Sequence, residues 1–192
     1  MALSDKIWRR VSVHDVVLAW LRAERNKYLS NIVLQDPTIT RFLDHVNLND
    51  ADENRTRLRL FYMMRNAYFF EIPPDVEWYK VENLTDEDLD QLYVVNHATW
   101  RDAADQNELL KVASRRRAPL TMDPSNWESP VLFGHDEKGP FSIIEGNNRL
   151  TAYAASRTND LNIPVYVGIS ELKCVWHVLD NCEYVNYDLL RW

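Results

Sequence analysis

The distribution of glycine is the feature that most constrains this chain. Its 192 residues contain four glycines, all within residues 134–168, and the first 133 residues contain none. Glycine enters left-handed backbone conformations without steric cost, so a glycine-free stretch must turn with proline, asparagine and aspartate. A helical fold is the easiest one for such a glycine-free stretch to form. The first part of the chain is therefore predicted to be mainly helical, and unusual backbone geometry is expected between residues 134 and 168.

Three helices are predicted in that first part. Residues 11–30 carry an apolar stripe behind Ser12, a predicted N-cap with Asp15 three positions later. Residues 36–46 show a second, short helix pattern, and a third helix pattern begins near residue 50 and continues to residue 68. Together these segments predict a helical N-terminal extension.

A boundary follows at Ile72-Pro73-Pro74. Proline lacks an N–H donor and disfavours helical backbone at the residue before it, so the third helix must end here. We divide the chain into an extension, residues 1–72, and a second part, residues 73–192. Aromatic residues are dense on both sides of the boundary, so we expect the two parts to pack together rather than expose a large apolar patch.

The second part alternates between strand and helix patterns, which predicts an α+β domain with its last three strands in one sheet. Thr85 is predicted to cap a helix that continues to residue 95, and residues 97–117 are predicted to be helical. The predicted strands are residues 76–84, 130–134, 141–145 and 163–169, and an alanine-rich helix spans residues 147–157.

Charge and composition exclude several classes of protein. The net charge is −7, from 22 basic and 29 acidic residues, which disfavours a nucleic-acid partner. No apolar run approaches the ~18 residues of a membrane span, so no membrane partner is expected. Cys174 and Cys182 have no His or Cys partner at zinc spacing, and no metal site is predicted from them. These features predict a cytoplasmic protein.

The segment from Glu145 to Arg149 carries the chemistry. It reads Glu-Gly-Asn-Asn-Arg and lies between a strand pattern and an alanine-rich helix pattern. The first N–H groups of a helix have no internal partners, and the helix dipole adds positive charge there, so such a junction favours anions. Arg149 is a candidate phosphate ligand, and Glu145 a candidate metal ligand or proton acceptor. The alternative is that Glu145 and Arg149 form a structural pair.

This segment resembles the signature of the ParB/sulfiredoxin-like superfamily, in which an acidic residue or glycine precedes Gly-x-x-Arg at the start of a helix. The resemblance covers roughly residues 75–170 and implies that fold. It also implies that Gly146, Asn147, Asn148 and Arg149 bind the phosphates of a nucleotide. Sulfiredoxins carry a catalytic cysteine directly after the motif glycine. Asn147 stands at that position here, which rules out sulfinate reduction by that route.

The sequence is closest to members that read Asp-Gly-His-His-Arg, as in free serine kinases, or Asp-Gly-Asn-His-Arg. The resemblance therefore implies a nucleotide-binding enzyme that hydrolyses or transfers a phosphoryl group, with Glu145 and Arg149 catalytic. Mg²⁺ bound with a nucleoside phosphate would be held partly by Glu145. The alternative is a non-catalytic module that senses a nucleotide or another anion, or binds a protein partner through the N-terminal helices. A nuclease is a third, weaker alternative.

Three further side chains are considered beside this motif. His97 and Trp100 are candidates for lining an open pocket that we expect at the Glu145–Arg149 motif, with ordinary packing or surface positions as the alternative. His135 lies in the turn between two predicted strands, and we expect it to be exposed to solvent. The tail, residues 171–192, is predicted to contain both helix and strand.

Overall fold

The computed structural model describes residues 3–28, 37–95, 123–156 and 161–180. Within these residues, four α-helices accompany a six-stranded mixed sheet. The coarse prediction of a fold that combines helices with a sheet is therefore confirmed.

Three of the helices lie in the first part of the chain. They are α1 (Val13–Tyr28), α2 (Pro37–Asp44) and α3 (Ala51–Glu71). At the start of α1, Ser12 Oγ accepts a hydrogen bond from the Asp15 backbone N–H at 3.3 Å, and the Asp15 carboxylate accepts one from the Ser12 N–H at 3.0 Å. Two N–H groups at the helix end are thereby satisfied, and the predicted cap is confirmed.

A short strand near the N-terminus is missing from the prediction, which gave the first 72 residues as mainly helical. Strand β1 (Trp8–Arg10) pairs antiparallel with β2 (Glu77–Leu84), which places Trp8 opposite Val81. Three residues are too few to show a period of two, and the partner strand lies far along the chain. Only tertiary pairing could identify this strand.

The helix predicted from Thr85 to residue 95 is also shorter than expected. Thr85 does form a capping box with Asp88, but the element is a single 3-10 segment, Asp86–Gln91. Strand β3 (Leu92–Val94) follows directly and pairs parallel with a later strand. Leu92 and Val94 are buried by this pairing, and their burial outweighs continuation of the helix.

The remaining strands occur where the sequence predicts them. They are β4 (Val131–Gly134), β5 (Phe141–Glu145) and β6 (Ile163–Ile169), and they lie in one sheet as predicted. Helix α4 (Asn147–Ser156) connects β5 to β6. The order across the sheet is β1-β2-β6-β4-β5-β3, with β4–β6 and β3–β5 parallel and the other pairs antiparallel.

Two groups of buried side chains belong to the sheet and its helices. One joins residues of α1, α2 and α3 to sheet residues and to the segment after β6, and it includes Trp20, Phe61, Trp78, Phe133 and Trp176. The other joins α4 to alternate residues of the strands, and it includes Val81, Leu132, Ile143, Leu150, Tyr153 and Val165. The helices of the first part thus share a core with the sheet. Among the described residues, no helix combines the length and apolarity needed to cross a membrane.

Candidate functional site

The junction between β5 and α4 has the predicted local structure. Glu145 is the last residue of β5, and α4 begins at Asn147. Gly146 between them has a φ of +94°, and a Cβ added to it would lie 2.9 Å from Cβ of Pro130. Side chains are strained in that backbone region and would collide here, so glycine is the residue that permits this sharp turn. The open pocket expected at the junction stays a prediction.

Glu145 and Arg149 form an ion pair across the turn. Nη2 of Arg149 donates to Oε2 of Glu145 at 2.5 Å, and the two side chains are 20% and 12% exposed, respectively. Glu145 ends a strand and Arg149 lies in the first turn of α4, so the turn at Gly146 brings these two groups together. The pair combines the two candidate catalytic groups and cancels their charges locally.

Asn147 holds the junction to the neighbouring strand. Its Nδ2 donates to the carbonyl of Ile143 at 2.7 Å, and its Oδ1 accepts from the N–H of Val95 at 3.3 Å. The side chain is buried, so these bonds replace contacts with water. Asn147 therefore has a structural role: it ties the residue after β3 to β5 and to the start of α4.

The next residues of the motif continue this pattern. Asn148 is exposed, unlike Asn147. Thr151 Oγ1 donates to the carbonyl of Asn147 at 2.6 Å, and the carbonyl of Gly146 accepts the first main-chain bond of α4, from Leu150. The structure thus brings together Glu145, Gly146, Asn147, Asn148 and Arg149 in a single compact turn.

Other sequence candidates lie outside the described residues. These are His97 and Trp100, together with the helix predicted over residues 97–117. Their predicted place beside the motif stays a prediction.

The expectation that His135 is an exposed turn residue is wrong. Its side chain is 29% exposed, with Nε2 lying 3.0 Å from Oδ1 of Asp180. His177 joins the same group, with ring centroids 4.3 Å apart between the two imidazoles. Burial lowers the pKa of His177, which favours its neutral form. The prediction of mixed helix and strand for the tail is wrong for residues 171–180, which form turns and bends without a helix or strand. The cluster was not predicted because it depends on the path of this segment; its local signal is the spacing of His177 and Asp180, three residues apart.

Known proteins provide no additional assignment for either group of residues. Comparisons with protein-family models, curated proteins and solved structures give no match to this chain.

Proposed function

We propose that this protein is a non-catalytic binding module with a ParB/sulfiredoxin-like fold, and that it binds a nucleoside phosphate or a similar phosphorylated small molecule at the β5–α4 junction. The observation that carries the proposal is the ion pair at the start of α4. Glu145 pairs with Arg149, which lies in the first turn of that helix. The order strand, strand, glycine, helix, strand over residues 131–169 supports the fold assignment.

Because Glu145 balances the charge of Arg149, the positive potential that would attract an anion at this junction comes from the N-terminus of α4. The first turn of α4 presents N–H groups that have no partner within the helix, and its dipole is positive at this end. The bond from Arg149 to Glu145 uses Nη2, and a guanidinium carries five N–H donors in a planar fork. One edge of Arg149 can therefore be positioned by Glu145 while another contacts a phosphate oxygen.

The same pair argues against phosphoryl transfer. In an enzyme of that class, a carboxylate would help to hold Mg²⁺ and the arginine would neutralise phosphate charge. Here Oε2 of Glu145 is 2.5 Å from Nη2 of Arg149, so a metal ion bound at that oxygen would require the pair to open. Hydrolysis or transfer of a phosphoryl group in the presence of Mg²⁺ is therefore the alternative that the assay must test. The net charge of −7 continues to disfavour a nuclease, because a phosphodiester backbone needs a basic surface.

Thermal shift and turnover assays together test the proposal. The full-length protein is melted with ATP, ADP, CTP or GTP, each with and without Mg²⁺, and the same mixtures are assayed for released phosphate. We expect at least one nucleotide to raise Tm, since a ligand at 100 times its Kd adds about 2.7 kcal/mol. We expect no release of phosphate above the protein-free rate.

Two variants locate the binding. Arg149→Lys keeps the charge but loses the planar fork, so we expect it to lose most of the nucleotide-induced shift. Arg55→Lys is the matched control, because Arg55 pairs with Asp52 on an exposed face of α3. Phosphate release that depends on Glu145 would instead assign an enzyme. A full screen without any shift would reject the site.

A further inference from the structure

Three side chains with metal-binding atoms meet where β4 ends. His135 follows β4 directly, and His177 and Asp180 belong to the segment of residues 171–180 that follows β6. One ligand atom from each side chain lies within 4.8 Å of the other two. Two separate parts of the chain therefore converge on one small volume.

Backbone carbonyls fix which imidazole nitrogens carry protons. Nδ1 of His135 lies 2.8 Å from the carbonyl oxygen of Ser170, and Nε2 of His177 lies 3.0 Å from that of Pro140. A carbonyl oxygen only accepts hydrogen bonds, so each of these nitrogens must be the N–H donor. In a neutral ring, the other nitrogen then carries a lone pair.

Those lone pairs lie beside the carboxylate of Asp180. Nε2 of His135 is 3.0 Å from Oδ1, and Nδ1 of His177 is 4.0 Å from Oδ2. Nδ1 of His177 also accepts a long bond, 3.4 Å, from the N–H of Leu179. A lone pair and a carboxylate oxygen repel each other at 3.0 Å, so a cation must lie between them. That cation is either a proton or a metal ion.

The surroundings resemble the outer shell of a metal site. Metal-binding histidines usually donate their second N–H to a carbonyl or carboxylate, which sets the tautomer and the ring orientation. Both histidines do so here. Oδ2 of Asp180 accepts from the N–H of Cys174 at 2.6 Å, and the ring of Phe133 lies against both imidazoles with centroids 5.7–5.8 Å apart.

We propose that His135, His177 and Asp180 bind a divalent transition-metal ion, with Zn²⁺ as the reference ion. Two imidazoles and one carboxylate suit such ions, whereas Mg²⁺ and Ca²⁺ prefer sites made of oxygen ligands. Zn²⁺ bonds of about 2.0–2.2 Å at tetrahedral angles place ligand atoms about 3.3–3.6 Å apart. Nε2 of His135 lies 3.0 Å from Oδ1 of Asp180, Nδ1 of His177 lies 4.0 Å from Oδ2, and the three ligand atoms lie within 4.8 Å of one another. Metal binding would therefore draw these atoms toward a common centre by side-chain rotation, with loss of the long bond from Leu179.

The ion would act as a clamp. His135 belongs to the turn after β4, and the other two ligands belong to the segment after β6. Metal binding would therefore fasten residues 171–180 to the sheet, at a position distinct from the β5–α4 junction. With three ligands from the described residues, a tetrahedral ion keeps one position for water or another donor.

Metal titration of the full-length protein tests the site. The protein is treated with EDTA, dialysed and titrated with ZnCl₂ by calorimetry, and with CoCl₂ while visible d–d absorption is recorded. We expect one ion per chain, a Co²⁺ spectrum typical of four- or five-coordinate nitrogen and oxygen ligands, and a Tm raised by about 5–10 °C at 100 times the Kd.

Single substitutions then assign the ligands. His135→Gln and Asp180→Asn should each weaken Zn²⁺ binding by at least about 100-fold, since loss of outer-shell partners alone costs 10- to 100-fold. His45→Gln is the control, because His45 is exposed at the end of α2. Far-UV circular dichroism checks that each variant folds. Should Asp180→Asn fail to fold, the Zn²⁺ affinity of His135→Gln and the Co²⁺ spectrum of the wild type decide whether the site exists.

Two results would overturn the proposal. One is the absence of Zn²⁺ binding to the folded wild-type protein, which would leave a proton as the bridging cation. The other is Zn²⁺ affinity that His135→Gln leaves unchanged, which would place the ion elsewhere.

Discussion

Arg149 donates to Glu145 at 2.5 Å across the turn that joins β5 to α4, and both side chains are at least four-fifths buried. The pair therefore contributes to stability as well as to the proposed phosphate site. Its two roles separate experimentally, because a nucleotide contacts only one partner while the fold depends on both.

Arg149→Ala should lower the free energy of unfolding by about 1–3 kcal/mol, because it leaves the Glu145 carboxylate mostly buried without its cation. Glu145→Gln in the same chain should recover part of that loss, since the amide carries no charge. Urea denaturation of the wild type, both single variants and the double variant measures the coupling. Additive losses would mean that the pair contributes no coupling energy.

Asn147→Ala should destabilise the protein by about 1–3 kcal/mol. The substitution removes a buried side chain that bonds both Ile143 and Val95, and it leaves a buried carbonyl and a buried N–H unsatisfied. Asn148→Ala is the matched control at the next, exposed position, and should change stability by about 0.5 kcal/mol or less. Equal losses at the two positions would contradict the structural role of Asn147.

Lys6→Met should be among the most destabilising single substitutions near the N-terminus. The ammonium of Lys6 contacts the fully buried carboxylate of Asp88 and, at 3.3 Å, Oγ1 of Thr85. Removing the cation leaves a buried charge, at a cost of about 3–5 kcal/mol. In thermal melts, this should lower Tm by roughly 6 °C or more.

Lys80→Met serves as the control for Lys6. Lys80 pairs with Glu82 at 3.1 Å in a more exposed position, so its loss should cost about 0–1 kcal/mol. Similar Tm values for the two variants would show that the Lys6 contact does not stabilise the fold.

A fragment that begins at Val76 should fail to fold cooperatively. It lacks β1, the edge partner of β2, and it lacks the helices whose Trp20 and Phe61 share a core with Trp78. The exposed apolar surface should lead to aggregation. Circular dichroism and analytical ultracentrifugation of the fragment check this expectation. A soluble monomer with a sharp melting transition would show that residues 76–192 fold independently.

The local elements could be predicted from the sequence because their signals are local. The Ser12–Asp15 cap, the apolar runs of β5 and β6 and the turn at Gly146 each depend on neighbours within a few positions. The Glu145–Arg149 contact is also local, because the turn at Gly146 joins the strand that ends at Glu145 to the helix that carries Arg149.

Tertiary structure decided the features that join distant parts of the chain. Strand β1 forms by backbone pairing with β2, and the backbone N–H of Val95 donates to the side chain of Asn147. Backbone groups carry no sequence signature, so neither contact could be predicted. The meeting of His135 with Asp180 has the same origin, because the segment after β6 returns to the end of β4. Periodicity reports which face of an element is buried, whereas long-range hydrogen bonding and packing determine which elements meet. The amino-acid pattern therefore determined the junction that carries the proposed phosphate site, and only the folded chain brought the proposed metal ligands together.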